Sequence, residues 1–213
     1  MIRNKLREKI GEQQSVYEAL KSGDDSQVCY QEFQKGEWGT DDINYTNRLR
    51  LACYLLYYGI DDERAVADLF EEELKDRENN SFQGIGSTLC ILTWLLRKYN
   101  AAHKYDHLLE RAKNANFDCA CGYDAEDAVE EDFWKNDLLD CIDLCQELDY
   151  KDVMGLLVDT WKKEIGDSSG WNLSNRSILI GFHTFLGREM ENEKPGVGVA
   201  ARQCPKLQSL SGN

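Results

Sequence analysis

The chain is expected to be all-α, an irregular array of antiparallel helical hairpins, and three observations say so. Its only two prolines, Pro195 and Pro205, lie in the last nineteen residues, so nothing upstream has to break a helix. Apolar residues recur at three- and four-residue spacing through most of its 213 positions. Period-two alternation with β-branched residues is hard to find. Apolar residues make up 42% and charged residues 30%, a globular balance that can build a core at this length.

The elements follow in order. Ile2 to about Ser22 reads as a charged helical segment with a break near Gly11, because Ser15 and Glu18 match a capping box. Ser22-Gly23-Asp24-Asp25 is a turn. Ser26 to Lys35 is expected to be a short helix carrying Val28, Cys29 and Phe33. After the Gly36–Thr40 loop, Asp42 to Tyr58 is a helix capped by Thr40 or Asp41. It becomes apolar all round from Leu51 and stops at Gly59. Asp61 and Asp62 cap the next helix, to about Lys75, with Val66, Leu69, Phe70 and Leu74 inward and Glu71-Glu72-Glu73 on a solvated face. These two helices form the first hairpin.

The second hairpin joins a helix capped at Ser87 or Thr88 and running to Tyr99 with one from Ala102 to Lys113. A loop from Asn114 to Lys135 leads to the third. Its first helix starts at Asn136, with Leu138, Ile142, Cys145 and Leu148 inward. Its second carries Val153, Leu156, Leu157, Trp161 and Ile165. A last helix covers Trp171 to about Glu191. Residues 1–193 are read as one domain and 194–213 as a flexible basic tail. No tetratricopeptide or ankyrin consensus is visible.

Charge narrows the function. The formal net charge is −14, unfavourable for gripping nucleic-acid phosphates and favourable for capturing a basic partner. No run of about 18 apolar residues offers a membrane span, and MIRNKLREKIGEQQ has no apolar stretch of the kind a secretory signal needs. Cys53 and Cys90 sit in apolar runs, and Cys141 and Cys145 share a helix face. These settings suit free thiols in a reducing cytoplasm better than disulfides.

The charge is concentrated. Asp118 to Asp152 holds thirteen acidic residues against Lys135 and Lys151 alone. Its helical half has a core-facing side, so the contact surface is placed on the loop and the first helical carboxylates: Tyr123, Asp124, Glu126, Asp127, Glu130, Glu131, Asp132, Phe133, Trp134, Asp137 and Asp140. Rings anchor an interface while carboxylates steer a basic partner and pair with its Arg and Lys.

The same sequence offers other chemistry. DAEDAVEEDFWK lacks the central Gly of a calcium loop. His103 and His107, four apart on the expected helix, could join Cys119 and Cys121 in a Cys2His2 zinc site, although Cys-x-Cys is tighter than the usual spacing. Gly84-Ile85-Gly86-Ser87-Thr88 lacks the Lys and preceding strand of a P-loop and reads as a helix cap. Arg97 with His103, and Arg176 with His183, resemble the Arg-x(4–6)-His motif of the HEPN-type ribonucleases, an all-α family in which both residues act on the scissile phosphate. Lys98 and Ser177 follow the arginines here. The reading adopted has no catalytic residue, metal or cofactor.

The whole chain, small, acidic and helical, resembles the immunity proteins of bacterial toxin–immunity systems, with NFDCACGYDAEDAVEEDFW as the stretch most like a toxin-binding loop. The resemblance implies a cytoplasmic, non-enzymatic protein that binds and neutralises a cognate, basic, nuclease-type toxin domain through Asp124, Glu126, Asp127, Glu130, Glu131, Asp132 and Trp134. A helical protein–protein adaptor is the further alternative.

Overall fold

A computed structural model describes residues 2–34, 37, 39–80, 84–126, 138–165, 181, 182 and 185. The all-α class holds: helices dominate, and the one sheet among the described residues is a three-residue antiparallel pair.

Helices α1 (Ile2–Gly11) and α2 (Gln14–Lys21) break near Gly11 as expected, but not through the expected capping box. Gln13 takes the N-cap position without a side-chain bond, and Ser15, inside α2, donates its hydroxyl back to Glu12 O at 3.2 Å. The helix expected over 26–35 is absent from its described residues, 26–34. Residues Glu32–Gln34 form β1, paired with β2 (Thr40–Asp42) in the register Phe33↔Asp41. The amides a helix would have used are claimed by side chains. Tyr30 N donates to Glu72 Oε2 at 2.7 Å and Gln31 N to Asp42 Oδ1 at 2.8 Å.

Helix α3 (Tyr45–Tyr58) begins three residues later than expected, because Asp42 belongs to the strand. Its apolar stretch is buried from Leu51 to Leu56, and Gly59 ends it with φ +62, the left-handed cap that glycine adopts at least cost. Helix α4 (Glu63–Asn79) is capped by Asp62, whose carboxylate accepts from Ala65 N at 3.0 Å. It runs past Lys75 because Asp76 and Arg77 are also buried. Helix α5 (Ser87–Arg97) packs on both α3 and α4. Gly86 takes its N-cap position, where Ser87 or Thr88 was expected to cap.

The expected helix from Ala102 is shorter. Residues Ala101–His103 make a 3-10 turn in which Ala102 and His103 have φ +56 and +63. Helix α6 (Asp106–Lys113) starts only afterwards and packs mainly on α4. The second unit is therefore not a simple repeat of the first. Part of the expected loop after Asn114 is helical too: α7 (Phe117–Gly122), capped by Asn116, whose side chain accepts from Cys119 N at 2.8 Å.

Helices α8 (Leu138–Glu147) and α9 (Lys151–Ile165) make the third hairpin. Asp149, with φ +53, turns the chain between them, and Arg50 of α3 donates to Leu148 O at 2.8 Å. Ile142, Cys145 and Leu148 face inward as expected, as do Val153, Leu157 and Trp161; Leu156 does not, being 41% exposed. Phe182 packs edge-on against Trp161 at 6.2 Å. The core runs without interruption from Leu6 on α1 to Phe182. No helix among the described residues is long and apolar enough to cross a membrane. The tail from 194 and most of the expected last helix lie outside the described residues.

Candidate functional site

The acidic segment begins on α7, and α7 stands on a cluster of buried charges. Helical spacing puts Val66, Leu69, Phe70, Glu73, Leu74 and Arg77 on the inner stripe of α4, so two charged side chains enter the core with the apolar ones. Arg48 does the same on α3, between Tyr45 and Leu49. Its guanidinium reaches Asp42 Oδ2 at 2.5 Å, Glu73 Oε2 at 3.1 Å and Asp76 Oδ2 at 3.6 Å, all with side chains of no exposed surface. Arg77 closes the cluster on Glu73 Oε1 at 3.2 Å and on Asp76, and its guanidinium lies 5.3 Å from the Tyr45 ring centroid. The expected solvated face Glu71-Glu72-Glu73 is thus corrected at its third member. Glu71 and Glu72 face Arg111 and Lys75 near the surface, and Glu73 is wholly inside.

Three carboxylates face two guanidinium groups here. Burial pushes the Glu73 carboxyl up to about 7, against the downward pull of Arg48 and Arg77. Arg77 also ties the cluster to the surface. Its Nη1 donates to Gly84 O at 3.2 Å, and the carbonyls of Arg77 and Gly84 both accept from Asn116 Nδ2.

Helix α7 grows from that contact. Its inner residue Cys119 is buried, with its thiol 3.8 Å from Gly84 O. The outward side carries Phe117, 68% exposed and the most exposed large apolar side chain among the described residues, followed by exposed Asp118 and Cys121. Composition gave no reason to separate Phe117 from the other aromatics. Asn116 as the cap, with inward Cys119 two residues after Phe117, was the available signal.

Tyr123 was expected on the contact surface and lies inside. It is 3% exposed, with its hydroxyl 2.8 Å from Thr93 Oγ1 and its carbonyl accepting from Lys113 Nζ at 2.6 Å. Burial raises its hydroxyl pKa to about 12. The ring fastens the end of α7 to α5 because a buried tyrosine needs a partner for its hydroxyl. Asp124 and Glu126 are exposed. Asp124 Oδ1 accepts from Glu126 N at 2.8 Å, and Glu126 pairs with Arg97 at 2.7 Å. A pocket of about 560 Å³ opens beside them, lined by Leu109, Glu110, Lys113, Cys121 and Asp124 among others. Asp140 is exposed on α8. Asp127, Glu130, Glu131, Asp132, Phe133, Trp134 and Asp137 lie outside the described residues.

The four candidate zinc ligands are placed differently from one another. His103 lies in the 3-10 turn and His107 on α6, so they do not share the expected helix face. His103 Nδ1 sits 2.8 Å from Asp106 Oδ2. Cys119 is buried and Cys121 exposed. Among the described residues no three His, Cys, Asp or Glu side chains are grouped to hold a metal. Of the Arg–His pairs, Arg97 is engaged by Glu126 and His103 by Asp106, while Arg176 and His183 lie outside the described residues.

The described residues form a helical protein whose short helix α7 carries exposed Phe117 and Asp118. Comparison of the chain with protein-family models, with curated proteins and with solved structures gives no match.

Proposed function

We propose that this is a non-enzymatic binding protein of the cytoplasm that captures a basic protein partner through the α7 region and the acidic residues after it. In type it is an immunity protein that neutralises a basic, nuclease-class toxin domain. One observation carries the reading: Phe117, 68% exposed, stands on a helix fastened from within, with exposed Asp118 next to it in the chain and exposed Asp124 past the helix's other end. A solvated aromatic on a fixed support is the anchor an interface is built around, and carboxylates at its rim select a basic partner and speed its approach. The net charge of −14 adds long-range attraction of the same sign. Tyr123 drops out of the contact set as an internal fastening, and Phe117 replaces it.

Co-purification from the native strain, followed by assay of the captured protein, tests the proposal. The expected result is a basic partner whose toxic activity is blocked by stoichiometric amounts of this chain, with association slowed at about 0.5 M salt. If instead no partner appears, and the pure protein cleaves RNA in a way that His103→Ala or His183→Ala abolishes, the ribonuclease alternative replaces it.

A further inference from the structure

Helix α7 is six residues long, too short to be stable by its own backbone bonds. What fastens its ends therefore decides where Phe117 and Asp118 stand. The rear is fastened by Tyr123, through Thr93 and Lys113. The front is fastened by Asn116, which does two separable things. Its Oδ1 caps the helix by accepting from Cys119 N. Its Nδ2 donates to Arg77 O and Gly84 O, each at 3.2 Å.

Those two carbonyls are neighbours because Arg77 makes them so. Its guanidinium, held by Glu73 and Asp76, reaches Gly84 O. The turn closes so tightly on it that a Cβ at Gly86 would lie 3.2 Å from Arg77 Nη1. Ile85 of the same turn would lie 3.1 Å from a Cβ at Gly122, at the far end of α7.

We infer that Arg77 and Asn116 are positioning residues for the Phe117–Asp118 surface: the buried charges fix Arg77, Arg77 fixes the Gly84–Gly86 turn, and Asn116 latches α7 to both. The value of the latch for partner binding rests on the function proposed above; the latch itself does not. Because its front is held by the bonds of one side chain, α7 opens there without unfolding the core. Cys119, with no exposed surface, is covered by the latched state, whereas Cys53 lies deep in α3 and is uncovered only by global unfolding.

The test is alkylation of the full chain by N-ethylmaleimide, with Cys119 and Cys53 followed separately by mass spectrometry. Asn116→Asp keeps a cap acceptor and removes both Nδ2 donors. It is expected to speed modification of Cys119 roughly tenfold, the worth of one to two net hydrogen bonds, with Cys53 unchanged. Asn116→Ala, which loses the cap as well, should be at least as fast. A wild-type rate at Cys119 in Asn116→Asp would mean that the cap or the Tyr123 end alone holds the helix, and overturns the inference. So does a parallel rise at Cys53, which would make the opening global. Arg77→Lys keeps the charge and loses the fork that spans Asp76 and Gly84 O. The same Cys119-selective gain is expected, and Asn116→Asp carries the test if that variant does not fold. Phe117→Ala should leave both rates alone, so a failure of partner binding and a failure of the latch read separately.

Discussion

Arg48 and Glu73 meet inside the fold with no exposed surface on either side chain, Arg48 Nε donating to Glu73 Oε2 at 3.1 Å. Each arrives on the apolar stripe of its own helix, so folding α3 against α4 brings the pair together. Taking either charge out of water costs several kcal/mol, and mutual attraction offsets that cost only while both remain. Arg48→Met should therefore destabilise the protein by about 3–5 kcal/mol, since Asp42, Glu73 and Asp76 would lose their shared cation. The combination of Arg48→Met with Glu73→Leu should cost less than the sum of the two single changes. Urea-unfolding midpoints of the four proteins check this; strict additivity would show that the pair is not coupled.

The same pair makes stability depend on pH. The Glu73 carboxyl, ordinarily at 4.5, is raised to about 7 in the folded protein, by burial first. It is faced by Arg48 and Tyr45 of α3, Arg77 and Asp76 of α4, and Asp42 of β2. A raised folded value means that the folded state keeps a proton the unfolded chain has already released. The contribution is complete below about 4.5 and is lost as pH rises through about 7. From pH 6 to pH 8 this one group should lower stability by about 1.4 kcal/mol. Glu73→Gln, neutral at every pH, should remove that slope. Chemical denaturation at pH 6, 7 and 8 on both proteins decides it, and an unchanged slope in Glu73→Gln would assign the pH dependence to another group.

This cluster also marks the boundary of what could be read from the sequence. The helices, the Gly59 stop, the Asp62 cap and most of the inward residues followed from period and cap chemistry, which act over one or two turns. Adjacency to Glu71 and Glu72 makes Glu73 look solvated. Yet it falls three residues after Phe70 and four after Leu69, on the same stripe, and Arg48 occupies the matching place on α3. Opposite charges on two apolar stripes were the signal. Recognising it required knowing which stripes face each other, and that is tertiary information. The β1–β2 pair was missed for a similar reason: the groups that take the Tyr30 and Gln31 amides come from Glu72 and Asp42, up to 42 positions away. The charge of its neighbours places Tyr123 on the surface, whereas in the fold its hydroxyl meets Thr93, thirty residues earlier, and its ring joins the core.

The Gly84–Gly86 turn yields an internal comparison. Gly86 has φ +79 and little room, its Cβ position being 3.2 Å from Arg77 Nη1 and 3.3 Å from Tyr45 Oη. Gly23 has φ +94 and nothing within 4 Å. Alanine at position 23 should cost about 1 kcal/mol, from the left-handed backbone alone. Alanine at position 86 should cost more, about 2–3 kcal/mol, because φ +79 with ψ +142 lies outside the left-handed helical well and because either the guanidinium or the turn must also move. Thermal and urea unfolding of both variants give the difference, and equal losses would show that the turn yields without disturbing Arg77.

Phe117 and its neighbouring carboxylates should separate by kinetics once a basic partner is in hand. Phe117 is 68% exposed, so Phe117→Ala should change folding stability by no more than about 0.5 kcal/mol. An anchor ring acts after encounter, by filling a site on the partner. Its loss should therefore raise the dissociation rate, tenfold or more for a hot-spot residue, and leave the salt dependence of association intact. Asp118→Asn and Asp124→Asn remove charge from exposed positions. They should slow association at low salt and differ little from the parent at about 0.5 M, where screening has already removed their reach. Surface plasmon resonance at two salt concentrations distinguishes the two roles. If Phe117→Ala leaves dissociation unchanged while the charge variants act, the contact lies on the carboxylates and α7 only carries them.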